Sequence, residues 1–598
     1  MKSKYFGEKI QNDSQRWNSI FILLVVIVSF GVYANALFND FVYDDILLIL
    51  ENPWIKNVKY LTDIFLKDAW GFENTAGGSH YYRPLMNLFY MATYYVFGLR
   101  PLGFHLVNIL FHAGISVLVF CITFFLLRGR QPTNSSYLLP SFAGALIFAT
   151  HPIHTEAVTW VAGITDLSFT LFSLLSFFFY LKSGEERPLI GKYIFSLTFF
   201  LLAILCKETA LVVPLIIIAY DFVLKRNLLI SQVKMYLPYF VIGIGYVLWR
   251  FSLFGGFAPI RQHSELTHYG YAINVLPLFV QYLEKLLVPI NLNAFHVFHP
   301  ITSIFDMRGV ISLALSLVFI AFALVIFKKD KIAFLSLCLI SIPLIPALYI
   351  PALGENTFAE RYLYFPSFGF VLFVASMVNW LVEKRRAVTF VIPFLVVLLG
   401  FYSLNTVFRN AVWKNEYRLM EDTVKKSPDA AFPRNNLGKV YNEMGMTDKA
   451  IEQFQTALVL KPRFAGAHNN LGVAYNKKGL VDEAIEQFRI AISLKPLSGT
   501  YVNLGVAYSN KGLIDEAIKQ YQIAIKLKPE NVDAYVNLGI AYGEKGFIDQ
   551  AIEYLEAAIR LNPEDPHAHH NLANAYRIKG LFGKAHEHLQ KAKNLQRR

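Results

Sequence analysis

The sequence predicts an all-α protein in two parts, a polytopic membrane region followed by an α-solenoid of short repeats. Two observations lead to this prediction. Before about residue 408 the chain is a series of Phe-, Leu-, Ile- and Val-rich runs, many of them long enough to cross a bilayer. Beyond that point the chain becomes polar and repeats itself at intervals of 33 or 34 residues. We therefore predict a membrane domain over 1–408, a linker or half repeat over 409–430, and five repeats over 431–598.

The composition supports a membrane-embedded protein and argues against nucleic-acid binding. Apolar residues make up 55% of the 598 positions, and charged residues only 17%. The formal net charge is +13, but much of the basic charge lies in short loops between apolar runs, where membrane insertion places it in the cytoplasm. None of the three cysteines has a CxxC neighbour, so neither a disulfide framework nor a zinc site is predicted.

Eleven transmembrane spans are predicted, with the N-terminus in the cytoplasm. Lys2, Lys4, Lys9 and Arg16 precede the first run without a small-residue cleavage pattern, which predicts a retained signal anchor. An odd number of spans places the repeats on the external side, with external loops over 39–103 and 255–306. The spans are predicted at 19–38, 104–127, 138–151, 164–182, 192–206, 209–224, 236–254, 307–327, 332–350, 366–382 and 387–408.

Two further apolar segments are predicted not to span the membrane. Residues 82–99 are Tyr-rich and amphiphilic, which favours a helix lying in the interface. If residues 272–290 crossed the bilayer, the basic clusters at 328–329 and 384–386 would lie outside. We therefore predict that 272–290 forms a partly inserted external helix.

The C-terminal repeat resembles the tetratricopeptide repeat (TPR). Small residues recur where two helices pack closely, and a proline recurs where the second helix ends. The resemblance implies a superhelix whose concave face binds an extended peptide. The recurring positions are Leu437-Gly438, Leu471-Gly472, Leu504-Gly505, Leu538-Gly539 and Leu572-Ala573, then Ala450, Ala484, Ala517, Ala551 and Ala585, and finally Pro428, Pro462, Pro496, Pro529 and Pro563.

Two features of the repeats leave alternatives open. An asparagine recurs at one register, and this row either hydrogen-bonds a peptide backbone or only braces the helix pairs. The last repeat is rich in histidine, for which we favour an exposed polar capping face over a metal site. The asparagines are Asn436, Asn470, Asn503, Asn537 and Asn571, and the histidines are His567, His569, His570, His586 and His588.

Polar residues that interrupt the apolar runs gather on the predicted external side. Basic side chains there would hold the phosphate of a lipid donor, and a carboxylate would take a proton from an acceptor hydroxyl. The sequence has no P-loop and no Rossmann glycine fingerprint that would indicate a nucleotide site. The residues are Asp44, Asp45, Arg83, His105, His151, His154, Glu156, Asp166, Lys207, Glu208 and Arg361, with Arg250 at the edge of the group.

Six motifs, taken in chain order, resemble the transmembrane and TPR-containing (TMTC) family of O-mannosyltransferases. The resemblance covers nearly the whole chain. It implies a glycosyltransferase C-like fold, a first external loop with an acidic motif, and a polyprenyl- or dolichyl-phosphate sugar as donor. The motifs are Phe41-Val42-Tyr43-Asp44-Asp45 with Asn52-Pro53, Tyr82-Arg83-Pro84-Leu85, Gly103-Phe104-His105-Leu106-Val107-Asn108, His151-Pro152-Ile153-His154-Thr155-Glu156-Ala157-Val158, Lys207-Glu208, and Glu360-Arg361-Tyr362-Leu363-Tyr364-Phe365-Pro366-Ser367.

The resemblance assigns a candidate role to each site residue. Asp44 is the candidate base and Asp45 a supporting acid. Structural alternatives stay open for Arg83, whose side chain could snorkel to the interface, and for Glu360 with Arg361, which could form an internal ion pair. The candidate contacts to the donor phosphate or sugar are Arg83, His105, His151, His154, Lys207 and Arg361, and the candidate supporting residues are Glu156, Asp166, Glu208 and Glu360.

Together these observations predict an inverting transferase that moves a sugar, mannose by resemblance, to Ser/Thr hydroxyls of an external protein bound by the repeats. The main alternative is a non-catalytic membrane-anchored repeat scaffold. A transporter is disfavoured because the charged residues collect at one face rather than at the bilayer midplane. The predicted partners are the lipid-phosphate sugar, a protein or peptide acceptor and membrane lipid, with no nucleic acid. No cofactor is required, although Asp44 and Asp45 could bind a divalent metal. The predicted location is the plasma or inner membrane of a prokaryote, or the endoplasmic reticulum of a eukaryote.

Overall fold

A computed structural model describes residues 19–73, 81–129, 137–184, 190–225, 232–256, 266–353, 356–383 and 388–596. Within these ranges the regular structure is helical and contains no strand, which confirms the all-α prediction. The chain divides into two compact units, a membrane unit Met1–Asp422 and a repeat unit Thr423–Arg598. The basic flank at 1–18 and the basic cluster at 384–386 lie outside the described residues. The predicted orientation in the membrane and the predicted domain boundaries stay predictions.

Eight described helices of the membrane unit are long and apolar enough to cross a bilayer. The other three predicted spans coincide with two shorter apolar helices, Leu138–Thr150 and Ile190–Cys206, and with an interrupted segment from Glu208 to Lys225. The count of eleven stays a prediction. The eight helices are Ser19–Phe38, Pro101–Arg128, Val161–Ser183, Val233–Phe254, Met307–Lys329, Lys331–Leu348, Pro366–Glu383 and Thr389–Val412.

The interrupted segment changes helix type twice. A 3-10 helix over Glu208–Val212 gives way to the α-helix Val213–Tyr220, and a π-helix follows over Asp221–Lys225. Pro214 stands in the first turn of the α-helix, where its missing N–H costs no helical hydrogen bond. This break places Lys207 and Glu208 at the end of the helix Ile190–Cys206, beside the longer spans.

The two segments predicted not to span also form helices, Pro84–Phe97 and His268–Leu287. The described part of the predicted first external loop contains five short helices, of which Trp54–Lys56 and Leu61–Leu66 pack against Pro84–Phe97. The Asn52 side chain donates to Asn87 Oδ1 over 3.3 Å and to the Leu48 carbonyl over 3.1 Å. The short helices are Ile46–Leu50, Trp54–Lys56, Val58–Tyr60, Leu61–Leu66 and Gly71–Glu73.

The start of this loop is held by the far end of the membrane unit. Asn39 donates its side-chain amide to the Asn410 carbonyl over 3.1 Å. The backbone N–H of Asp40 donates to the Lys414 carbonyl over 2.9 Å. These bonds fix the chain just before Asp44 and therefore position the acidic motif.

The repeat unit consists of five antiparallel helix pairs. Each first helix ends at a glycine with φ between 78° and 83°, the left-handed conformation that favours glycine at a helix C-terminus. The second helices of the first four pairs each end two residues before the recurring proline, as predicted. The pairs are Ala431–Glu443 with Thr447–Leu460, Ala465–Lys477 with Val481–Leu494, Ser498–Asn510 with Ile514–Leu527, Val532–Glu544 with Ile548–Leu561, and Pro566–Ile578 with Phe582–Gln596.

The substitution Gly472→Ala should destabilise the repeat unit. A Cβ at residue 472 would lie 2.7 Å from Cε1 and 2.9 Å from Cδ1 of the buried Phe488 ring, so the helix pair must move apart. We expect a loss of about 1–3 kcal/mol in the free energy of unfolding. Pulse proteolysis of the full chain in urea measures it. The control Gly499→Ala meets no atom within 4 Å and should leave the urea midpoint unchanged or raised. Equal midpoints for both variants would contradict the close packing.

Candidate active site between the first external loop and the membrane helices

A tight turn separates the environments of the two adjacent aspartates. Tyr43 has φ of 59°, a left-handed conformation that is uncommon for a residue other than glycine. Its ring lies against Trp160, with the ring centroids 6.0 Å apart. Beyond this turn Asp44 is half-buried and Asp45 fully buried.

The Asp45 carboxylate holds the turn in place. One oxygen accepts from the Val42 backbone N–H over 3.2 Å, and the other accepts from the Ala162 backbone N–H over 2.9 Å. Both oxygens are thus engaged by backbone donors, one of them from a segment 117 positions away. Asp45 therefore supports the loop and is not placed to exchange a proton with a substrate.

The Asp44 carboxylate is the more reactive of the two. No hydrogen-bond donor reaches it from any residue that the structure describes. Burial raises the pKa of Asp44 to about 6, although the positive charges of Arg361 and Arg83 oppose that rise. A half-buried carboxylate with a pKa near neutrality has the properties of a general base.

Two carboxylates anchor two of the basic residues beside Asp44. The Arg361 guanidinium donates to Glu156 Oε1, and the Arg361 backbone N–H donates to Glu156 Oε2 over 2.9 Å. Lys207 Nζ lies 2.5 Å from Asp166 Oδ1. Burial lowers the pKa of Lys207, and the Asp166 carboxylate opposes that effect. The supporting carboxylates thus hold Arg361 and Lys207 in fixed positions.

Arg83 is the basic residue without a close anion. Among the described residues no carboxylate oxygen lies within ion-pair distance of its guanidinium, and its buried Nε has no hydrogen-bond partner. Its guanidinium stacks over Tyr81, 4.8 Å from the ring centroid. Glu208 acts on Arg83 from a longer distance and lies closer to Arg250, whose Nη1 is 3.7 Å from Glu208 Oε2.

Electrostatic interactions link these residues into one set, which we call the charged cluster. Sequence patterns gave Arg250 only a marginal place in the group, because a lone arginine in an apolar run also fits a snorkelling side chain. They missed Tyr362, whose ring centroid lies 4.8 Å from Lys207 Nζ and which directly follows Arg361 in its motif. The members of the charged cluster are Asp44, Arg83, Glu156, Asp166, Lys207, Glu208, Arg250 and Arg361.

The three histidines predicted to contact the donor, His105, His151 and His154, are buried among the helices of the membrane unit. His151 accepts from the Ile153 N–H over 3.2 Å and contacts the Leu286 carbonyl at 3.2 Å. His154 Nε2 lies 2.8 Å from Ser367 Oγ. Neither ring nitrogen of His105 has a hydrogen-bond partner within the part of the chain that the structure describes. These contacts suit a structural role for His151 and His154, and contact of the histidines with a donor stays a prediction.

Glu360 and Arg361 are neighbours in sequence but do not pair with each other. The Glu360 carboxylate accepts from the Asn293 backbone N–H and lies 2.9 Å from His296 Nε2. It therefore ties the second external loop to the motif, whereas Arg361 pairs with Glu156. The alternative of an internal Glu360–Arg361 ion pair is wrong.

The recurring asparagines of the repeat unit all have protein partners. Asn470 donates to Asn435 over 2.9 Å, Asn503 donates to Asn469 over 3.0 Å, and Asn436 accepts from Asn435 over 3.3 Å. Asn537 and Asn571 each donate to a carbonyl of their own helix, over 2.8 and 3.0 Å. The bonds of Asn470 and Asn503 join neighbouring repeats and support the bracing role at these two positions, and contact of the row with a peptide stays a prediction.

The histidine-rich last repeat contains a contact between the buried His569 and the partly exposed His588. His569 Nδ1 lies 2.8 Å from His588 Nδ1, and His569 Nε2 donates to the Pro563 carbonyl over 3.0 Å. His468 makes the corresponding contacts with Gln487 and Pro462 three repeats earlier in the array. The His569 contacts therefore belong to the repeat pattern. Across the described ranges, no three His, Cys, Asp or Glu side chains are grouped to hold a metal ion.

Fold and site together define a class, a helical membrane protein with a charged site at the predicted first external loop and a C-terminal TPR array. TPR family models match residues 438–479 and 505–546, described as TPR repeat, and residues 465–496 and 536–597, described as tetratricopeptide repeat. Matches in solved structures include the crystal structure of MamA, with 30% identity, 27% of this chain and 95% of that chain covered, and a TM-score of 0.25. The TPR protein YrrB matches with 22% identity over 30% of this chain and 92% of its own, with a TM-score of 0.24.

Curated relatives match a larger part of the chain than the solved TPR structures do. Protein O-mannosyl-transferase TMTC3 of Mus musculus is 30% identical over 75% of this chain and 52% of its own length. Protein O-mannosyl-transferase TMTC4 of Homo sapiens is 30% identical over 73% of this chain and 66% of its own. Protein O-mannosyl-transferase F38B6.6 of Caenorhabditis elegans is 28% identical over 77% and 65%. The chain is a homologue of the TMTC proteins, which confirms the resemblance seen in the motifs, and it spans about half the length of the first of these relatives.

Proposed function

We propose that the chain is a glycosyltransferase that moves mannose from a polyprenyl- or dolichyl-phosphate donor to a Ser/Thr hydroxyl of an extracytoplasmic protein. The observation that carries this proposal is the Asp44 carboxylate, half-buried and without a hydrogen-bond donor among the described residues, with its pKa raised by burial to about 6. The printed names of the relatives support the sugar and the protein acceptor.

The transfer is a single displacement. Asp44 takes the proton of the acceptor hydroxyl, and the hydroxyl oxygen forms a bond to the anomeric carbon of the sugar. The bond between that carbon and the phosphate oxygen breaks, and its electron pair leaves with the lipid phosphate. The products are the glycosylated hydroxyl and the free lipid phosphate, with inversion at the anomeric carbon.

The basic residues of the charged cluster bind the donor phosphate and stabilise the charge that develops on it. Arg83 is the first candidate, because a cation without a close anion gains most from an incoming phosphate. Arg361 and Lys207 are held by Glu156 and Asp166 and supply a fixed positive field. Such a site works without a metal ion.

The repeat unit binds the acceptor chain in this proposal. TPR arrays present a concave surface to extended peptides. Side chains of the Asn row that are engaged by neighbouring repeats would shape this surface, and the remaining carbonyl and amide groups would meet the peptide backbone.

The rate of transfer should depend on pH through Asp44. A general base must be deprotonated, so kcat/KM should fall about tenfold per pH unit below a pKa of about 6 and be level above neutrality. The profile is measured with a saturating acceptor and a labelled donor. The control Asp63→Asn, which changes an exposed carboxylate paired with Lys67, should keep the same acidic limb. A limb near pH 4 would contradict the raised pKa.

The direct test is transfer by the purified full chain in lipid nanodiscs. We expect labelled mannose to move from polyprenyl-phosphate mannose to a Ser/Thr-containing peptide, and not from GDP-mannose. A membrane-anchored scaffold would transfer nothing from either donor or from other polyprenyl-phosphate sugars. Transfer from GDP-mannose alone would contradict the lipid-phosphate donor.

A further inference from the structure

An apolar groove runs along the outside of the membrane unit. Its lining comes from the helix Ile190–Cys206, the interrupted segment after Glu208, and the helix Val233–Phe254. The groove has a volume of about 260 Å³. Its lining residues are Phe200, Leu211, Pro214, Tyr239, Phe240, Gly243, Ile244, Val247 and Leu248.

A glycine and a proline make the space for this groove. The Gly243 backbone approaches Leu211 so closely that a Cβ would lie 3.2 Å from Leu211 Cδ2. Pro214 begins the short α-helix that forms the opposite side. At the bottom, the Tyr239 hydroxyl lies 2.6 Å from Ser196 Oγ, so this buried polar group is satisfied and the surface of the groove is apolar.

Two walls of the groove continue along the chain into the charged cluster. Leu211 follows Glu208 by three residues, and Leu248 precedes Arg250 by two. The contact between Arg250 and Glu208 joins these two walls at 3.7 Å. Trp249 Nε1 donates to the Tyr82 hydroxyl over 3.3 Å, next to Arg83 in the chain. An anionic group bound at Arg83 would therefore lie at the mouth of an apolar channel.

We propose that this groove binds the first isoprenyl units of the lipid donor, next to its phosphate. The inference rests on the proposed function, because it identifies the occupant by continuity with the candidate active site. The groove extends from Leu248 to Phe240, about 12 Å along the helix, and the remaining tail lies in the bilayer. An isoprenyl chain of a phosphorylated polyprenol matches both parts of the site, an apolar channel that ends at a cationic mouth.

The groove determines both the affinity for the lipid and the side from which the lipid tail enters. A tail that leaves the bilayer for the groove is not removed from water, so van der Waals packing against the groove walls decides its contribution to the affinity. The exposed Phe240, Ile244 and Leu248 face the bilayer along one side, so the chain enters laterally and not from the aqueous phase. Filling the groove should weaken binding of the donor without touching the charged cluster.

Photolabelling of the full chain in phosphatidylcholine nanodiscs tests the proposal. The probe is a polyprenyl phosphate with a diazirine in the isoprenyl units next to the phosphate. We expect the label on Phe240, Ile244 or Leu248, displaced by unlabelled polyprenyl phosphate and not by added phosphatidic acid. Labelling that phosphatidic acid displaces equally well would assign the groove to bulk phospholipid and overturn the proposal.

A matched pair of glycine variants on one helix completes the test. G243L fills the groove against Leu211 and removes packing contacts for the tail, so we expect about a tenfold higher probe concentration for half-maximal labelling. G245L places the same side chain where no atom lies within 4 Å and should label like the wild type. If G243L fails to fold, judged by its tryptophan fluorescence, G243A should show a smaller shift in the same direction. Equal labelling of the 243 and 245 variants would overturn the proposal.

The outcomes separate this inference from the proposed function. Groove labelling by the probe without any sugar transfer would support the lipid site and contradict the transferase. Transfer from the lipid donor with labelling confined to other helices would support the transferase and contradict the groove.

Discussion

Asp44→Asn is expected to abolish most of the sugar transfer while leaving the fold intact. The Asp44 carboxylate accepts no hydrogen bond from the described residues, so an amide of the same shape fits the site without leaving a donor unpaired. An amide cannot take the acceptor proton, and general-base catalysis contributes about 10²–10⁴-fold to a rate. We therefore expect kcat to fall by about 10³-fold, with little change in KM for the lipid donor.

Three further variants make this prediction specific. Asp44→Glu should recover part of the rate, because it restores a carboxylate at a slightly different distance. Asp63→Asn in the same loop should transfer at the wild-type rate, since Asp63 pairs only with the exposed Lys67. Asp45→Asn should lower both the rate and the stability, because one of the two backbone donors at residues 42 and 162 would then face an amide N–H. Wild-type kcat in Asp44→Asn would remove Asp44 from the role of base.

Breaking the ion pair between Glu156 and Arg361 is expected to have the largest effect on stability. Glu156 is almost completely buried, and both of its oxygens accept from Arg361. Glu156→Gln leaves the Arg361 charge without its main partner. Because Arg361 is partly exposed, we expect a loss at the lower end of the range for buried pairs, about 3 kcal/mol in the free energy of unfolding. Transfer should fall as well, since Arg361 would no longer be held beside Asp44.

Fluorescence of the seven tryptophans measures the unfolding of the membrane unit selectively. All of them precede residue 423, so tryptophan fluorescence during unfolding in mixed micelles reports on the membrane unit alone. A double-mutant cycle with Arg361→Gln isolates the pairwise energy, because the double variant carries neither charge. The corresponding cycle on Lys67 and Asp63 should give at most about 1 kcal/mol, as expected for an exposed pair. A coupling energy for Glu156 and Arg361 no larger than this control would contradict a structural role for the pair.

The helices could be predicted from sequence because their signals are local. The length of an apolar run decides whether a helix can cross a bilayer, and the 34-residue step fixes the repeat register. The segment 209–224 was predicted as one span, yet it changes helix type at Val213 and Asp221. Pro214 is a local signal for the helix start at Val213. No comparable residue marks the change at Asp221.

Sequence patterns predicted which residues belong to the site, but not which of them contact each other. Asp44 and Asp45 are indistinguishable in sequence, and the bond from Ala162 to Asp45 shows which of the two faces inward. Glu360 and Arg361 are adjacent, but their partners lie 67 and 205 positions away in Asn293 and Glu156. Partners at such separations leave no periodic pattern in a single sequence, so only the structure could assign them.

The hydrogen bonds from Asn39 and Asp40 to residues 410 and 414 can form only late in the synthesis of the chain. Chain growth supplies the acidic motif early, but the groups that hold it appear only after the last span has been made. A nascent chain therefore carries an unfinished site through most of its insertion into the membrane. Both hydrogen bonds can form only once about two thirds of the polypeptide has been translated, and a product truncated at residue 408 would lack them.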